Sequence, residues 1–288
     1  MLSNFKKNKK YLNKYYYIVI SVLSVLDFLI WYINPPDLNI GLLFLPAFGL
    51  LIIPNIYFII SGWLYALIVC LAQTGFSMLY VLEILLAVVC TFTATAFLHN
   101  ASHSTMKPSW LNRVVGEVMA LFQLVGLPDW TIIHILHHQH PDDPKLDPHP
   151  PLDKSYWQFL LGMRKSIAKV LGTYYCQLWG NNQESVNNLK MLGNQIKLTS
   201  LLKILFWYLL FGPQTFTFFF AFSFVFKTLH YAWFNYATHL FTQNGVSIIN
   251  LNQGFYKFIN FVAFGLYYHK NHHLRPGLFN PSKLISKT

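Results

Sequence analysis

The sequence predicts an all-α, polytopic helical membrane protein with a histidine-rich cap, and three observations lead to that fold class. Hydrophobic residues make up 54% of the 288-residue chain and charged residues 11%, whereas soluble domains carry about 25% charged residues. No Lys or Arg occurs in residues 15–106, a run long enough for about four apolar helices of ~20 residues each. Eight of the 12 histidines fall into three groups at helical spacings, and a ninth, His239, lies four residues after Asn235.

The distribution of charge predicts a single integral-membrane domain over residues 1–288. The first 14 residues contain lysines but no acidic residue, and the positive-inside rule places this basic tail in the cytoplasm. An even number of spans, between about four and six, then returns the first histidine group to the cytoplasmic side. The predicted order is a basic tail (1–14), N-terminal spans (15–98), a cytoplasmic region (99–196), a second helical hairpin (197–241) and a second cytoplasmic region (242–288).

The apolar runs predict the individual spans. These are residues 16–33, 41–60, 63–73 and 79–98, followed by a block at 198–241 that Gly212 and Pro213 divide. The first run ends without an Ala-x-Ala cleavage site, so we expect an uncleaved anchor. Pro46, Pro54 and Gly62 interrupt the middle region, which forms either a hairpin of two short helices or a broken re-entrant segment. The hairpin keeps the span count even.

Two further segments are expected to lie along the membrane surface. Residues 156–179 mix aromatic side chains with Arg and Lys, as an interfacial helix does. Residues 254–268 are apolar but too short to span. The basic residues scattered through 104–196 favour exposure on the cytoplasmic side.

The histidine spacing predicts a metal centre, because imidazole is the commonest metal-binding side chain. Residues four apart lie on one face of a helix, while adjacent residues diverge by about 100°. The neighbours His137 and His138 can therefore reach two different metal ions, and Asn235 could bind through its carbonyl or through a bridging water. The predicted metal ligands are His99, His103, His134, His137, His138, Asn235, His239, His269, His272 and His273.

This pattern resembles the membrane fatty acid desaturase and hydroxylase superfamily, and it is similar to alkane hydroxylases and carotenoid ketolases. The order HxxxH or HxxxxH, HxxHH, HxxHH is matched by three boxes: box 1 (His99, His103), box 2 (His134, His137, His138) and box 3 (His269, His272, His273). Asn235 and His239 match the Asn-xxx-His element of stearoyl-type desaturases. The resemblance covers roughly residues 80–280. It implies two non-haem iron ions held almost wholly by histidines, with dioxygen as co-substrate.

The resemblance implies an oxygen-dependent oxidoreductase that acts on unactivated C–H bonds of a lipid, with fatty acyl desaturation as the leading expectation. Hydroxylation or ketolation of an alkyl, fatty acyl or carotenoid substrate is the alternative, because these reactions share the first hydrogen abstraction. A metal transporter is less favoured, since transport sites lie near the bilayer midplane. A zinc hydrolase needs about three protein ligands, and haem needs fewer axial ligands than are present.

The sequence also predicts partners and location. It contains no fused haem domain, CxxC pair or Gly-rich nucleotide loop, so electrons must come from a separate ferredoxin or cytochrome-type donor with its reductase. We expect that donor to dock on cytoplasmic Lys and Arg side chains. No nucleic-acid partner is expected, because the basic tail adjoins a span. The three cysteines are expected to be packing residues, and a bacterial inner membrane is the expected location.

Several polar residues near the boxes remain open in function. Asp142, Asp143 and Asp147 occur in a Pro-rich turn, and one of them could orient a ligand imidazole. Asn100 stands in box 1 where many family members have Asp, which leaves open what supports the ligands there. His140 and His149 stay outside the ligand set, Lys227 and His230 are candidates by their intramembrane position, and Asp27 is assigned no role.

Overall fold

Apolar helices form most of the chain in the computed structural model, which describes residues 25, 29, 38–53, 55–242 and 245–284. The basic tail and nearly all of the span predicted for 16–33 lie outside these residues. The helices are α1 (Leu38–Leu51), α2 (Ile56–Thr74), α3 (Met78–Ser102), α4 (Trp110–Phe122), α5 (Leu127–Gln139), α6 (Tyr156–Trp179), α7 (Gln183–Thr215), α8 (Phe222–Thr238), α9 (Phe255–Val262) and α10 (His269–Leu274). A π-helical segment, Phe216–Ala221, joins α7 to α8.

Several of these helices are long and apolar enough to cross a membrane. Within the described residues they are α2, α3 and the run Gln183–Thr238, which makes 3 candidate spans. The pair α4 and α5, bent by 100°, makes a fourth if it is one broken span. The predicted all-helical membrane class is confirmed, and the side on which the histidines lie stays a prediction.

The boundary between α1 and α2 differs from the prediction. The predicted spans 41–60 and 63–73 divide at Gly62, but α1 ends at Leu51 and α2 begins at Ile56, so the break lies at another predicted interruption, Pro54. The Asn55 side chain caps α2 by accepting from the Tyr57 N–H at 3.0 Å. Gly62 instead lies buried within α2. A Cβ there would lie 3.0 Å from Leu50 Cβ and 3.1 Å from the Ala47 carbonyl oxygen. Glycine at this position therefore allows the two helices to approach closely.

The chain reverses direction at Gly212, which has the left-handed φ of 73° that glycine tolerates. The rings of Trp207 and Phe220 on either side of the break lie 5.3 Å apart between centroids. In one straight helix the same residues would be about 20 Å apart. The break falls at the Gly-Pro pair that the sequence singles out, although α7 begins at Gln183 rather than near residue 198.

The described residues pack as two units, one made of those up to 84 with 171–225 and the other of those in 85–170 with 226–284. The first unit is organised around aromatic contacts between helices. The ring of Tyr208 lies 5.2 Å from Phe44 and 5.0 Å from Phe48. Phe48 in turn meets Phe216 edge-on at 5.7 Å.

The second unit contains all three boxes and has two buried apolar clusters that fix the last turns of α3. One cluster joins Phe92 and Ala96 to side chains of α8, α9 and the segment before box 3. The other joins Leu98 and Ala101 to Ala120 of α4 and to the start of α5. A two-stranded antiparallel hairpin, β1 (His239–Thr242) with β2 (Gly245–Ile248), follows α8. This hairpin was not predicted.

Candidate metal centre

Box 1 extends an apolar stripe of α3. Phe92, Ala96, His99 and His103 follow one another at spacings of three or four residues, which places them on one helical face. The first two are buried in apolar packing, and His99 is buried as well. The hydrophobic core thus sets the direction in which the two imidazoles project.

Box 2 lies on α5, which begins at the Gly126 cap with Pro128 and Asp129 in its first turn. Proline is favoured at the first helical position, and an acid there complements the helix dipole. His134 and His137 are buried, and His138 is partly exposed. Pro128 and Asp129 therefore favour the start of the helix that carries box 2.

Box 3 lies on the short helix α10, which other residues hold in place. The Asn250 and Asn271 side chains bond to each other at 3.0 Å, and the Asn271 backbone N–H donates to Asn250 Oδ1 at 3.2 Å. His269 and His272 are buried. A helix of six residues is too short to be stable alone, so these tertiary bonds position box 3.

The nine histidines of the predicted set converge into two groups. The five-histidine group consists of His99, His103, His134, His138 and His272, and the four-histidine group consists of His137, His239, His269 and His273. In each group the candidate ligand atoms all lie within 4.8 Å of one another. The groups adjoin, since the ring centroids of His138 and His273 are 4.3 Å apart.

The Nε2 atoms within each group approach in short pairs. The distances are 3.0 Å for His99–His272, 2.8 Å for His103–His134, 3.2 Å for His134–His138, 2.7 Å for His138–His272, 2.9 Å for His239–His269 and 3.1 Å for His269–His273. Metal–nitrogen bonds of about 2.1 Å put ligands at right angles about 3.0 Å apart, and tetrahedral ligands about 3.4 Å apart. The spacing therefore fits neighbouring positions around five- or six-coordinate metal ions.

Hydrogen bonding alone cannot satisfy this arrangement. A neutral imidazole nitrogen carries either one in-plane proton or one in-plane lone pair, so it makes one hydrogen bond. The five converging Nε2 atoms can form at most two hydrogen-bonded pairs among themselves. The fifth Nε2 atom then has no partner within the group. In the four-histidine group, His137 Nε2 is buried with no hydrogen-bond partner. A cation at the centre of each group would use every lone pair.

Burial keeps these imidazoles in the neutral form that binds metals. Desolvation lowers the pKa of His103 to about 4 and, with a contribution from His239, the pKa of His273 to about 3. It also holds the pKa of His269 and of His272 well below the ordinary value. Neutral ligands compete less with protons at pH 7, so the electrostatics suit metal binding.

The boxes contribute to the groups in a reciprocal way. Box 2 gives its i, i+4 pair to the five-histidine group and its middle residue, His137, to the other group. Box 3 gives its i, i+4 pair to the four-histidine group and its middle residue, His272, to the five-histidine group. Box 1 completes the larger group with a second i, i+4 pair. In the predicted ligand set, the corresponding pair for the smaller group is Asn235 and His239.

Asn235 is buried one turn before His239. Its Nδ2 donates to the Tyr231 carbonyl at 2.8 Å, so Oδ1 is the atom with which Asn235 could serve as a ligand. Its metal role stays a prediction. In box 1, the Asn100 Nδ2 donates to the Ala96 carbonyl at 3.0 Å and its Oδ1 accepts from Thr105 at 2.7 Å.

Two carboxylates of the loop after α5 contact imidazoles. Asp147 Oδ2 lies 2.9 Å from His137 Nδ1, and Asp142 Oδ2 lies 2.8 Å from His239 Nδ1. Asp143 instead accepts from the backbone N–H groups of Lys145 and Leu146, which lowers the pKa of its carboxyl. The sequence does not distinguish among these three acids. Their contacts do, because Asp142 and Asp147 contact imidazoles whereas Asp143 bonds to the backbone.

The other polar candidates lie outside the two groups. His140 caps α5, and His230 bonds to the Tyr267 hydroxyl. Lys227 donates to the Gln123 carbonyl at 2.7 Å. His149 is fully buried beside Asp147, and its Nε2 lies 3.3 Å from the Tyr231 hydroxyl. No local sequence pattern indicates the contact between His149 and Tyr231.

Nine imidazoles that converge beside helices of membrane-spanning length define the chain as a histidine-rich helical membrane protein. Within that class the chain belongs to the fatty acid desaturase family, whose model matches residues 75–279. The match includes every histidine of both groups. Neither a curated protein nor a solved structure matched the chain. The family consists of membrane enzymes of the desaturase and hydroxylase kind that typically depend on iron.

Proposed function

We propose that this protein is an oxygen-dependent di-iron oxidoreductase that desaturates a fatty acyl chain in the membrane. The observation that carries the proposal is the convergence of nine imidazoles into two adjoining groups within a chain of the fatty acid desaturase family. All ten predicted ligands, Asn235 included, belong to this proposal. Each group would hold one iron.

The reaction balances with one dioxygen and two external electrons. A –CH2–CH2– unit of the acyl chain loses two hydrogens and becomes –CH=CH–, while dioxygen, two protons and two electrons from a donor complete the formation of two waters. Two bound irons would supply the activation of dioxygen needed to remove hydrogen from an unactivated carbon. No side chain of the protein is an oxidant of that strength.

The protein's own residues prepare the site. Asp142 and Asp147 fix the rings of His239 and His137 by accepting from their Nδ1–H groups. Apolar packing beneath box 1 restricts access of water, which protects a reactive site from side reactions. The lipid-facing helices would deliver the acyl chain from the bilayer.

The electron donor is proposed to be a separate ferredoxin or cytochrome-type protein with its own reductase. Lys270, Arg275 and Lys283 are exposed on and just after α10, next to box 3. These cations would attract an acidic donor. We expect the rate of reduction to fall steeply as salt is raised. A rate that is independent of salt would contradict electrostatic docking of the donor.

Expression in a host with a known fatty acid profile tests the function. The expected product is an acyl chain two hydrogens lighter, absent when His137 and His138 are replaced by Ala. A product heavier by one oxygen would instead establish the hydroxylase alternative, and an unchanged profile with donor and iron supplied would contradict both. The chain should be supplied with ferredoxin and cytochrome donors in parallel, so that the donor does not limit the result.

A further inference from the structure

The carboxylates near the metal centre support only one of its two histidine groups. Asp142 faces His239 and Asp147 faces His137, and both imidazoles belong to the four-histidine group. Over residues 38–53, 55–242 and 245–284, no carboxylate lies within ion-pair distance of an imidazole of the five-histidine group. The two groups therefore differ in chemistry as well as in number.

We propose that Asp142 and Asp147 are positioning residues that make the two metal positions unlike each other, an inference that rests on the proposed di-iron function. A carboxylate that accepts from Nδ1–H holds the proton there, leaves the Nε2 lone pair for a metal and strengthens the imidazole as a donor. An iron held by the four-histidine group would thus be bound by more strongly donating rings, which would favour the ferric state at that position.

The loop is built so that the two carboxylates act together. Asp147 is completely buried, and its Oδ2 accepts from the Asp142 backbone N–H at 2.7 Å as well as facing His137. Its Oδ1 accepts from the His149 backbone N–H at 2.9 Å. These bonds fix the loop across both acids. A displacement of one carboxylate would therefore disturb the support of the other.

The orphaned nitrogen of His137 supports the same assignment. With its proton held at Nδ1 by Asp147, the ring presents a lone pair at Nε2, and that atom is buried with no hydrogen-bond partner. A buried lone pair without a donor is costly. The carboxylate therefore selects the tautomer that a metal needs at this position.

The chain offers well-matched variants for a test. Asp142 has a left-handed φ of 64°, a conformation that Asn also tolerates, so Asp142→Asn removes the charge while keeping an acceptor and the backbone shape. Asp147→Asn removes the other charge. Asp143→Asn is the control, because Asp143 lies in the same loop but bonds only to the backbone at 2.7 and 2.9 Å.

The experiment is an anaerobic titration of the detergent-purified full chain with ⁵⁷Fe(II), followed by Mössbauer spectroscopy. Two ferrous doublets of equal area are expected for the unchanged protein at saturation. In Asp142→Asn one doublet changes its parameters and its iron binds about 10- to 100-fold more weakly. Asp147→Asn is expected to change the same doublet. Asp143→Asn is expected to match the unchanged protein.

Other outcomes separate this inference from the function on which it rests. The inference would be overturned, and the di-iron function left intact, by any of three results. These are equal changes in both doublets, no change in either doublet, or an effect of Asp143→Asn equal to that of Asp142→Asn. An unchanged protein that binds fewer than two irons would overturn the di-iron function itself. If Asp147→Asn does not fold, Asp142→Asn decides the outcome, because it preserves the buried bonds of Asp147.

Discussion

The five-histidine group and the four-histidine group use the same sequence motif and yet differ in composition. Box 2 contributes a pair of imidazoles to the five-histidine group, and box 3 contributes a pair to the four-histidine group. The difference lies in what completes each group. The larger one receives both imidazoles of box 1, whereas the smaller one receives His239 with Asn235 one turn before it.

This comparison shows that a repeated motif does not require two equal sites. In the proposed ligand set Asn235 completes the smaller group, which would then have one strong donor fewer, because an amide oxygen is a weaker donor than imidazole for iron. The smaller group also contains two imidazoles that contact carboxylates, those of His137 and His239. The larger group has more rings but no such support within the described chain. The predictions that follow test this inequality.

The largest effect is expected from loss of one ring in either group. His138→Ala and His137→Ala should each leave about one iron per chain and reduce turnover by more than about 100-fold, beyond what loss of a supporting residue costs. Iron analysis and product assay measure both. His140→Ala is the matched control, since His140 belongs to neither group. Full iron content in either ligand variant would contradict the assignment of that ring.

Metal removal tests both groups together. Binding to the folded state alone stabilises it by about 2.7 kcal/mol per site when free metal is 100 times its Kd. A chelator should therefore lower the unfolding midpoint of the iron-loaded protein. The variant with both His137 and His138 changed to Ala should not respond. An identical response in that variant would show that the stabilising metal lies elsewhere.

Gly116→Ala should affect the five-histidine group more than the other. A Cβ at Gly116 would lie 2.9 Å from Ala101 Cβ and 2.8 Å from a methyl group of Leu127, which links the helices of box 1 and box 2. Such overpacking costs about 1–3 kcal/mol. The unfolding midpoint measures it. Gly193→Ala, with nothing within 4 Å, should be neutral or stabilising, and an equal loss there would refute the packing argument.

The smallest effect concerns Asn235. Asn235→Ala should weaken iron binding to the four-histidine group by about tenfold, in the range typical of a supporting ligand or second-sphere contact. Asn235→Asp keeps an oxygen donor and should retain the iron. Titration with iron distinguishes these cases. Equal loss in both variants would assign Asn235 to packing through its bond to the Tyr231 carbonyl.

Local chemistry was predictable from the sequence, and long-range contacts were not. The bounds of α6 agree with the predicted segment 156–179, which a local mixture of aromatic and basic side chains distinguishes. The role of Asp142 depends on a contact with His239 that is 97 positions away, and no local pattern encodes it. Gly62 was misassigned because a helix-packing glycine and a helix-breaking glycine look alike in a sequence.

The β-hairpin after α8 illustrates a signal that was present and overlooked. The sequence contains the dipeptide Asn244-Gly245, which favours hairpin turns, and Gly245 is the first residue of β2. The prediction ended the helical block at residue 241 and included no strand after it. This hairpin begins at His239, so the ligand predicted at the end of a helix is also the first residue of a strand.

The metal content of the full chain, purified anaerobically in detergent, tests the central claim most directly. We predict about two irons per chain in the unchanged protein and none bound stably when His137 and His138 are both changed to Ala, because each group then lacks a ligand. Zinc at one per chain, or no bound metal after iron is supplied, would contradict the di-iron account.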